Sequence, residues 1–480
     1  MPEDVPAVDA DPLGVLKEFR VGLRGCLPRR GDGLFELADA MLCAQGPVRS
    51  PVELSMEPEF GRGHGSVYAA LSQGRIDQPA LRRLLVDKCA PARPGQPLMF
   101  AVDTTSLARP DAVYADARTM VVVRGKGGDV FLPGWSYSIL VGVGWGASSW
   151  VDPVGAVRLA PDDDHTQVTV EQVRDLAADL AADLAATGVA QPGMPPPLVM
   201  FDAGYDATAL GYELADVGVQ TLTRLSSRRV FYGEPPPRSP GKRGAPARHG
   251  ARLSLADPSD RPPPEHELCA VSKRYGTVRV QAWRSMHQQL GRDGHWAGWP
   301  EGKPLPVVAG TIIRISVEKL PGGRTPRRDI WLFHTAPPGV AVDLDLLWKA
   351  YLRRFDQEHF HRFVKVYLGL DAAHLASAAA TDRWVLLALA AYAQLRIASG
   401  LPEQLRRPWH PRPAPGSVPS PYRTRLGFRR LRARLGSPAQ PAKFTRPGPG
   451  RPKGSKNRPK APQPPHRRTV KTDINQPQRR

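Results

Sequence analysis

Four side chains in one short stretch of the chain, Tyr351, Arg354, Glu358 and Lys365, combine a phenol, a guanidinium, a carboxylate and an ammonium. Apolar periodicity predicts one long helix over residues 342–370, and at about 100° per residue the four then fall within roughly 60° of one another. On such a stripe the carboxylate can ligate a divalent ion while the phenolic and cationic neighbours take oxygens of a phosphodiester. The same pattern also fits a solvated charged face, so the stripe needs partners elsewhere in the chain.

Two further acids supply them. Pro97-Leu-Met-Phe-Ala-Val-Asp103 is a short apolar run ending in a carboxylate, and Pro197-Leu-Val-Met-Phe-Asp202-Ala is a second. Both read as buried central strands whose acids face a site, because a carboxylate beside a buried strand is costly unless a cation or hydrogen bonds satisfy it. Asp103, Asp202 and Glu358 are therefore the candidate catalytic and metal-binding acids. Other acids have local explanations. Asp206 and Asp162 to Asp164 stand where helix N-caps belong, Asp356 lies about 200° round the helix from the stripe, and His361 reads as a surface or packing residue.

The elements around these acids follow from periodicity. Residues 1–95 are helical, and residues 63–85 contain two short helices separated by a turn at Gly74, resembling a helix-turn-helix in outline, with DNA reading and plain packing both open. Strands are expected at 119–123 and 135–143, making with 97–103 an antiparallel meander, and Val168 opens an amphipathic helix. Residues 218–335 alternate strand-like runs at 219–225, 276–283, 307–317 and 330–334, interrupted by a Pro-, Gly- and Arg-rich segment at 233–264 that reads as an exposed, mobile loop. Residues 381–398 form an apolar, buried helix, and beyond Pro402 periodicity survives only in an Arg-rich piece at 422–435.

Composition narrows the function classes. With 41% apolar residues the chain is globular, and a net charge of +20 invites a polyanionic partner. That charge is not spread evenly: residues 401–480 carry 21 Lys and Arg against Glu403 and Asp473, which leaves the first 400 residues near neutral. A near-neutral body with a basic, proline-rich extension fits a folded unit with an electrostatic arm for nucleic acid. Cys26, Cys43, Cys89 and Cys269 include no C-x-x-C pair, against a zinc site or disulfide framework. The acidic N-terminus lacks an apolar signal core and no run of eighteen apolar residues occurs, so a cytoplasmic protein without a membrane segment is expected.

The order strand-Asp, meander, helix, strand-Asp, β-rich insert, helix-Glu resembles the RNase H-like core of DDE transposases. Val102-Asp103-Thr-Thr, Phe201-Asp202-Ala-Gly-Tyr-Asp and the Y-x2-R-x3-E-x6-K stripe resemble bacterial insertion-sequence transposases with the Y-R-E-K signature. The resemblance implies an α/β fold: an RNase H-like mixed sheet flanked by helices (residues 96–217 and 339–400), interrupted by a β-rich insertion (218–338), after an all-α N-terminal region (1–95) and before a disordered basic tail (401–480). It implies that Asp103, Asp202 and Glu358 bind two Mg²⁺ ions, for which Mn²⁺ can substitute, while Tyr351, Arg354 and Lys365 grip phosphates. The implied activity is cleavage at the terminal inverted repeats of an element, then 3′-hydroxyl attack on target DNA, by a homodimer in the synaptic complex. A nuclease without strand transfer and a domesticated, non-catalytic DNA-binding protein remain alternatives. Inserts of related transposases supply aromatic contacts to DNA ends, which makes Trp283 the candidate for stacking on an unpaired base, with a core tryptophan as the other reading. In the tail, Gly450-Arg451-Pro452-Lys453-Gly-Ser-Lys456 resembles an AT-hook but has Pro449 where the hook has its leading arginine, which leaves phosphate binding by Arg451, Lys453 and Lys456.

Overall fold

The computed structural model describes residues 11–91, 93–125, 128–146, 148–184, 193–237, 247–321, 323–326, 328–409, 411–412, 414, 417–443, 452–456, 459–462 and 464. Five helices come first: α1 (Pro12–Gly25), α2 (Gly31–Cys43), α3 (Pro51–Leu54), α4 (Gly65–Gln73) and α5 (Gln78–Val86). Strands β1 (Met99–Ala108), β2 (Thr119–Gly125), β3 (Gly128–Val143) and β4 (Val151–Leu159) follow, then α6 (His165–Leu184), β5 (Leu198–Phe201), α7 (Ala207–Glu213) and β6 (Gln220–Leu225). The segment expected as the insertion, which opens with β6, also holds β7 (Val230–Tyr232), β8 (Arg252–Ser254), β9 (His266–Ser272), β10 (Gly276–Met286), β11 (Gly310–Val317) and β12 (Ile330–Thr335). The last elements among the described residues are α8 (Leu344–Arg353), α9 (Asp356–Val366), α10 (Ala378–Ala398), α11 (Pro402–Leu405) and α12 (Pro421–Leu435). Helix starts are chemically marked: Asp77, Asp206, Asp343, Ser377 and Ser420 each accept a hydrogen bond from a backbone N–H of the first turn. No helix among the described residues is long and apolar enough to cross a membrane.

Two compact units divide the chain. The first draws its described residues from Met1–Ala90, Thr104–Asp163 and Asp356–Thr469, the second from Pro91–Asp103 and Asp164–Phe355. In the first, β3 pairs antiparallel with β2 along one half and with β4 along the other. The neighbour of β1 is β3, not β2, so the expected meander order of β1, β2 and β3 is corrected. A Cβ at Gly134 would lie 2.2 Å from the Leu107 carbonyl oxygen, so only glycine permits this approach of β3 to β1. Strand β4 escaped sequence reading because Pro153 and Gly155 break its pattern; a register shift opposite Leu140 and Val141 accommodates them.

Helix α10 is the spine of this first unit. Its Ala- and Leu-rich sequence is buried on nearly all sides, as its all-round apolar pattern predicts. Polar contacts fix its neighbours: Arg20 donates to Asp39 at 2.6 and 2.9 Å and to Gln394 of α10 at 2.7 Å, while Arg432 of α12 donates to Asp39 at 3.1 Å. The Arg-rich piece expected in the tail is thus the folded helix α12. Phe428 and Leu431 are buried there, and Arg425 donates to the Met41 carbonyl.

In the second unit, β1 runs parallel to β5 and β5 parallel to β6. Beyond β6 the sheet continues through β12, β11, β10 and β9, all antiparallel, so the strands of the segment expected as the insertion extend the sheet of β1 and β5. The short hairpin of β7 and β8 closes a core of Phe231, Leu253, Leu255, Trp283, Met286, Trp331 and Phe333. Part of the segment expected as an exposed loop at 233–264 is therefore buried at its end, because Leu253 and Leu255 are apolar residues inside its polar composition; residues 238–246 lie outside the described residues. The α/β arrangement, a mixed sheet with flanking helices, agrees with the RNase H-like class.

Two stability measurements test this construction. A chain ending after residue 443 keeps α12 and melts like the full chain, whereas one ending after residue 401 loses the burial of Phe428 and Leu431 and on the order of 4 kcal/mol, read by urea denaturation. In the second unit, burial pushes the His334 imidazole down to about 4 from an ordinary value of 6.5. The unfolded chain takes up a proton between these values that the folded one refuses, so the contribution is fully present above about pH 6.5 and falls as pH drops towards about 4, by up to about 3 kcal/mol. His334→Gln flattens that slope.

Candidate active site

The register of three parallel strands gathers the first polar groups. Val102 of β1 lies opposite Phe201 of β5, so Asp103 and Asp202 follow side by side. Phe201 in turn lies opposite Thr223 of β6, which sets Arg224 at the same level. The residues before each aspartate are fully buried, and each carboxylate emerges where the parallel pairing of β1 with β5 stops. Strand β1 itself continues to Ala108 beside β3, so Asp103 marks the end of a pairing, not of the strand.

Arg354 reaches this pair from the C-cap of α8. Its Nη1 lies 3.7 Å from Asp103 Oδ2 and its Nη2 lies 3.4 Å from Asp202 Oδ1, so one guanidinium spans both carboxylates. The arginine is 2% exposed, against 21% and 30% for the two aspartate side chains. Burial alone disfavours its charge, but Tyr351, Asp202 and Asp103 outweigh that and hold its pKa above the ordinary value. The Arg354 guanidinium carbon also stands 5.7 Å from the Tyr351 ring centre and 5.5 Å from that of Phe355. Tyr351 is fully buried, and burial first of all raises its phenol pKa, so its position is that of a wall beside Arg354 and not of a solvent-facing phosphate grip.

The single long helix expected over 342–370 is two helices. The run breaks at Arg354 and Phe355, with Tyr351 on α8 and Glu358 and Lys365 on α9, so the four residues share no continuous helical stripe. Glu358 and Lys365 belong to the first unit. There Glu358 is exposed, and Lys365 donates to the Ser106 carbonyl at 3.1 Å, fixing α9 to the second half of β1, while burial lowers its pKa. Trp283 is a core residue: it is 3% exposed, its indole N–H donates to the Pro262 carbonyl, and its ring packs against Trp331. Its strand position alternates inward, which is why it cannot serve as an open stacking face. Lys453 and Lys456 are exposed, and Arg451 lies outside the described residues. Asp206 caps α7, and Asp164 accepts from Thr166 N–H at the start of α6, as their contexts indicated. Arg224 escaped notice, although a single charge in the otherwise uncharged run 219–225 was the available signal.

A family model described as DDE superfamily endonuclease matches residues 22–290. This chain belongs to that family. The matched span includes Asp103, Asp202 and Arg224 and ends before Glu358. No curated protein matches the chain. Membership makes this DDE endonuclease a transposase-like nuclease with DNA as its substrate, in a superfamily that generally uses divalent metal ions.

The residues present fit such an ion in part. Asp103 and Asp202 are hard oxygen donors, partly open to solvent, converging on one positive group. Among the described residues no group of three His, Cys, Asp or Glu side chains is placed to hold a metal. Removing the spanning guanidinium tests how far this pair depends on it. Arg354→Met should cost about 2–3 kcal/mol at neutral pH, below the figure for fully buried pairs because the carboxylates are partly solvated, and Arg354→Lys should cost less, both read by urea denaturation.

Proposed function

We propose that this DDE endonuclease is a DNA transposase of the insertion-sequence type, cutting DNA at element ends and joining the freed 3′ hydroxyl to target DNA. The observation that carries this reading is the convergence of Asp103 and Asp202, from adjacent parallel strands, on the buried Arg354. In this reading Asp103, Asp202 and Glu358 hold the divalent ions, with Mg²⁺ as the expected metal and Mn²⁺ as a substitute. Bound there, the ions would supply activation of an attacking oxygen and charge stabilisation at phosphorus.

The chain's own residues contribute charge balance and placement. Arg354 offsets the repulsion between two carboxylates brought together by strand register, and its planar fork also matches phosphate oxygens. Cleavage transfers the phosphoryl group from the element's 3′ oxygen to water, leaving a 3′ hydroxyl. In joining, that hydroxyl forms a new bond to a target phosphorus as the target's own 3′ oxygen leaves. Neither step requires a covalent bond to protein, consistent with a site of acids and arginine rather than of a nucleophilic side chain. The basic segment beyond residue 443, with Lys453 and Lys456 exposed, suits contact with the DNA backbone, and pairing of two element ends fits a homodimer.

The test separates cutting from joining. Asp103→Asn, Asp202→Asn and Glu358→Gln should each retain binding to a duplex carrying the repeats that flank the gene, yet lose at least about a hundredfold in Mg²⁺-dependent cleavage. Undiminished cleavage by any one variant removes that acid from the site. A pre-cut duplex with a free 3′ hydroxyl, mixed with a supercoiled plasmid, reports joining directly; cleavage without joined product makes the protein a nuclease only.

A further inference from the structure

Arg224 stands at the carboxylate pair with no role yet. The register of β5 and β6 fixes its backbone at the level of Asp202, and the two flanking residues of β6, Thr223 and Leu225, are buried. Its own side chain is 39% exposed, and its Nη1 approaches Asp202 Oδ1 only to 3.9 Å, beyond hydrogen-bond distance. The contrast with Arg354 is one of commitment. Arg354 is enclosed and spans both acids, whereas Arg224 is half open, on a rigid central strand, with a planar fork of donors held loosely beside one of them.

We propose that Arg224 is a phosphate-positioning residue, binding the backbone phosphate next to the one being cut. The inference rests on the nuclease reading of the Asp103 and Asp202 pair and adds to it a substrate contact from the strand that opens the insertion. Three physical points support it. DNA must bring a row of negative charges up to two carboxylates, so a cation beside them that is open to solvent lowers the repulsion of approach. A guanidinium forks onto two phosphate oxygens, which fixes orientation as well as distance. The placement of Arg224 on a strand between two paired neighbours, β5 and β12, limits its movement to its own side chain.

The experiment uses the full chain and a duplex carrying the repeats that flank the gene, comparing wild type, Arg224→Ala and Arg224→Lys. Binding is measured across a series of salt concentrations, and cleavage is measured for kcat and KM separately. Loss of one phosphate contact should make the slope of log affinity against log salt shallower by about 0.9, with KM raised about tenfold for Arg224→Ala. Arg224→Lys should restore the slope, because it keeps the charge, but recover only part of the KM, because it lacks the fork. A side chain that merely screens Asp202 would leave the salt slope of Arg224→Ala equal to wild type, and that result overturns the proposal. A methylphosphonate placed at single backbone positions adds the position: one neutral linkage should weaken wild type and leave Arg224→Ala indifferent, and equal sensitivity of the two proteins at every position also overturns it. Wild type that neither binds nor cuts the duplex refutes the underlying nuclease reading, visible before any variant is compared.

Discussion

Two carboxylates held side by side by strand register repel each other, and two arginines placed by other elements answer that repulsion. The parallel pairing of β1 with β5 leaves no freedom to separate them, since the four residues before each are locked in a buried ladder. A counter-charge must therefore come from another element, and α8 delivers it by ending at Arg354. The insertion has a part in the same arrangement. Its strands build on β6, and β6 brings Arg224 alongside. The two acids are thus balanced unequally, by an enclosed Arg354 that spans both and by a half-open Arg224 that only approaches Asp202.

Much of this was legible in the chain. Apolar runs ending in acids announced β1 and β5 because a buried strand tolerates a carboxylate only where the burial stops. Helices α4 and α5 declared themselves through the turn at Gly74, and α10 through its all-round apolar sequence. What failed has physical causes. Helical periodicity continues through Arg354 and Phe355 even though the backbone does not, so a face drawn across that break joined residues of two helices. Trp283 was ambiguous because aromatic rings suit both cores and stacking platforms, and only neighbours such as Trp331 decide between them. Arg224 acquires meaning solely from the strand beside it, a relation that no linear pattern carries.

The two basic residues of the original stripe show how a side chain can serve structure where its chemistry suggests a ligand. Lys365 donates to a backbone carbonyl of the continuing β1, and Arg354 spans two acids. The first charge fixes backbone, and the second ties two strands together through their acids. Their value to the fold means that substitution would disturb more than contact with a substrate.

Helix α12 carries the same principle to the scale of the whole molecule. Arg425 is spent on a carbonyl of α2, Arg429 on Glu57 and Glu59, and Arg432 on Asp39. These guanidinia count towards an isoelectric point near 10.1, yet each already has a partner within the fold. The electric field that a passing polyanion meets is consequently weaker, and more narrowly sourced, than titration of the sequence would suggest.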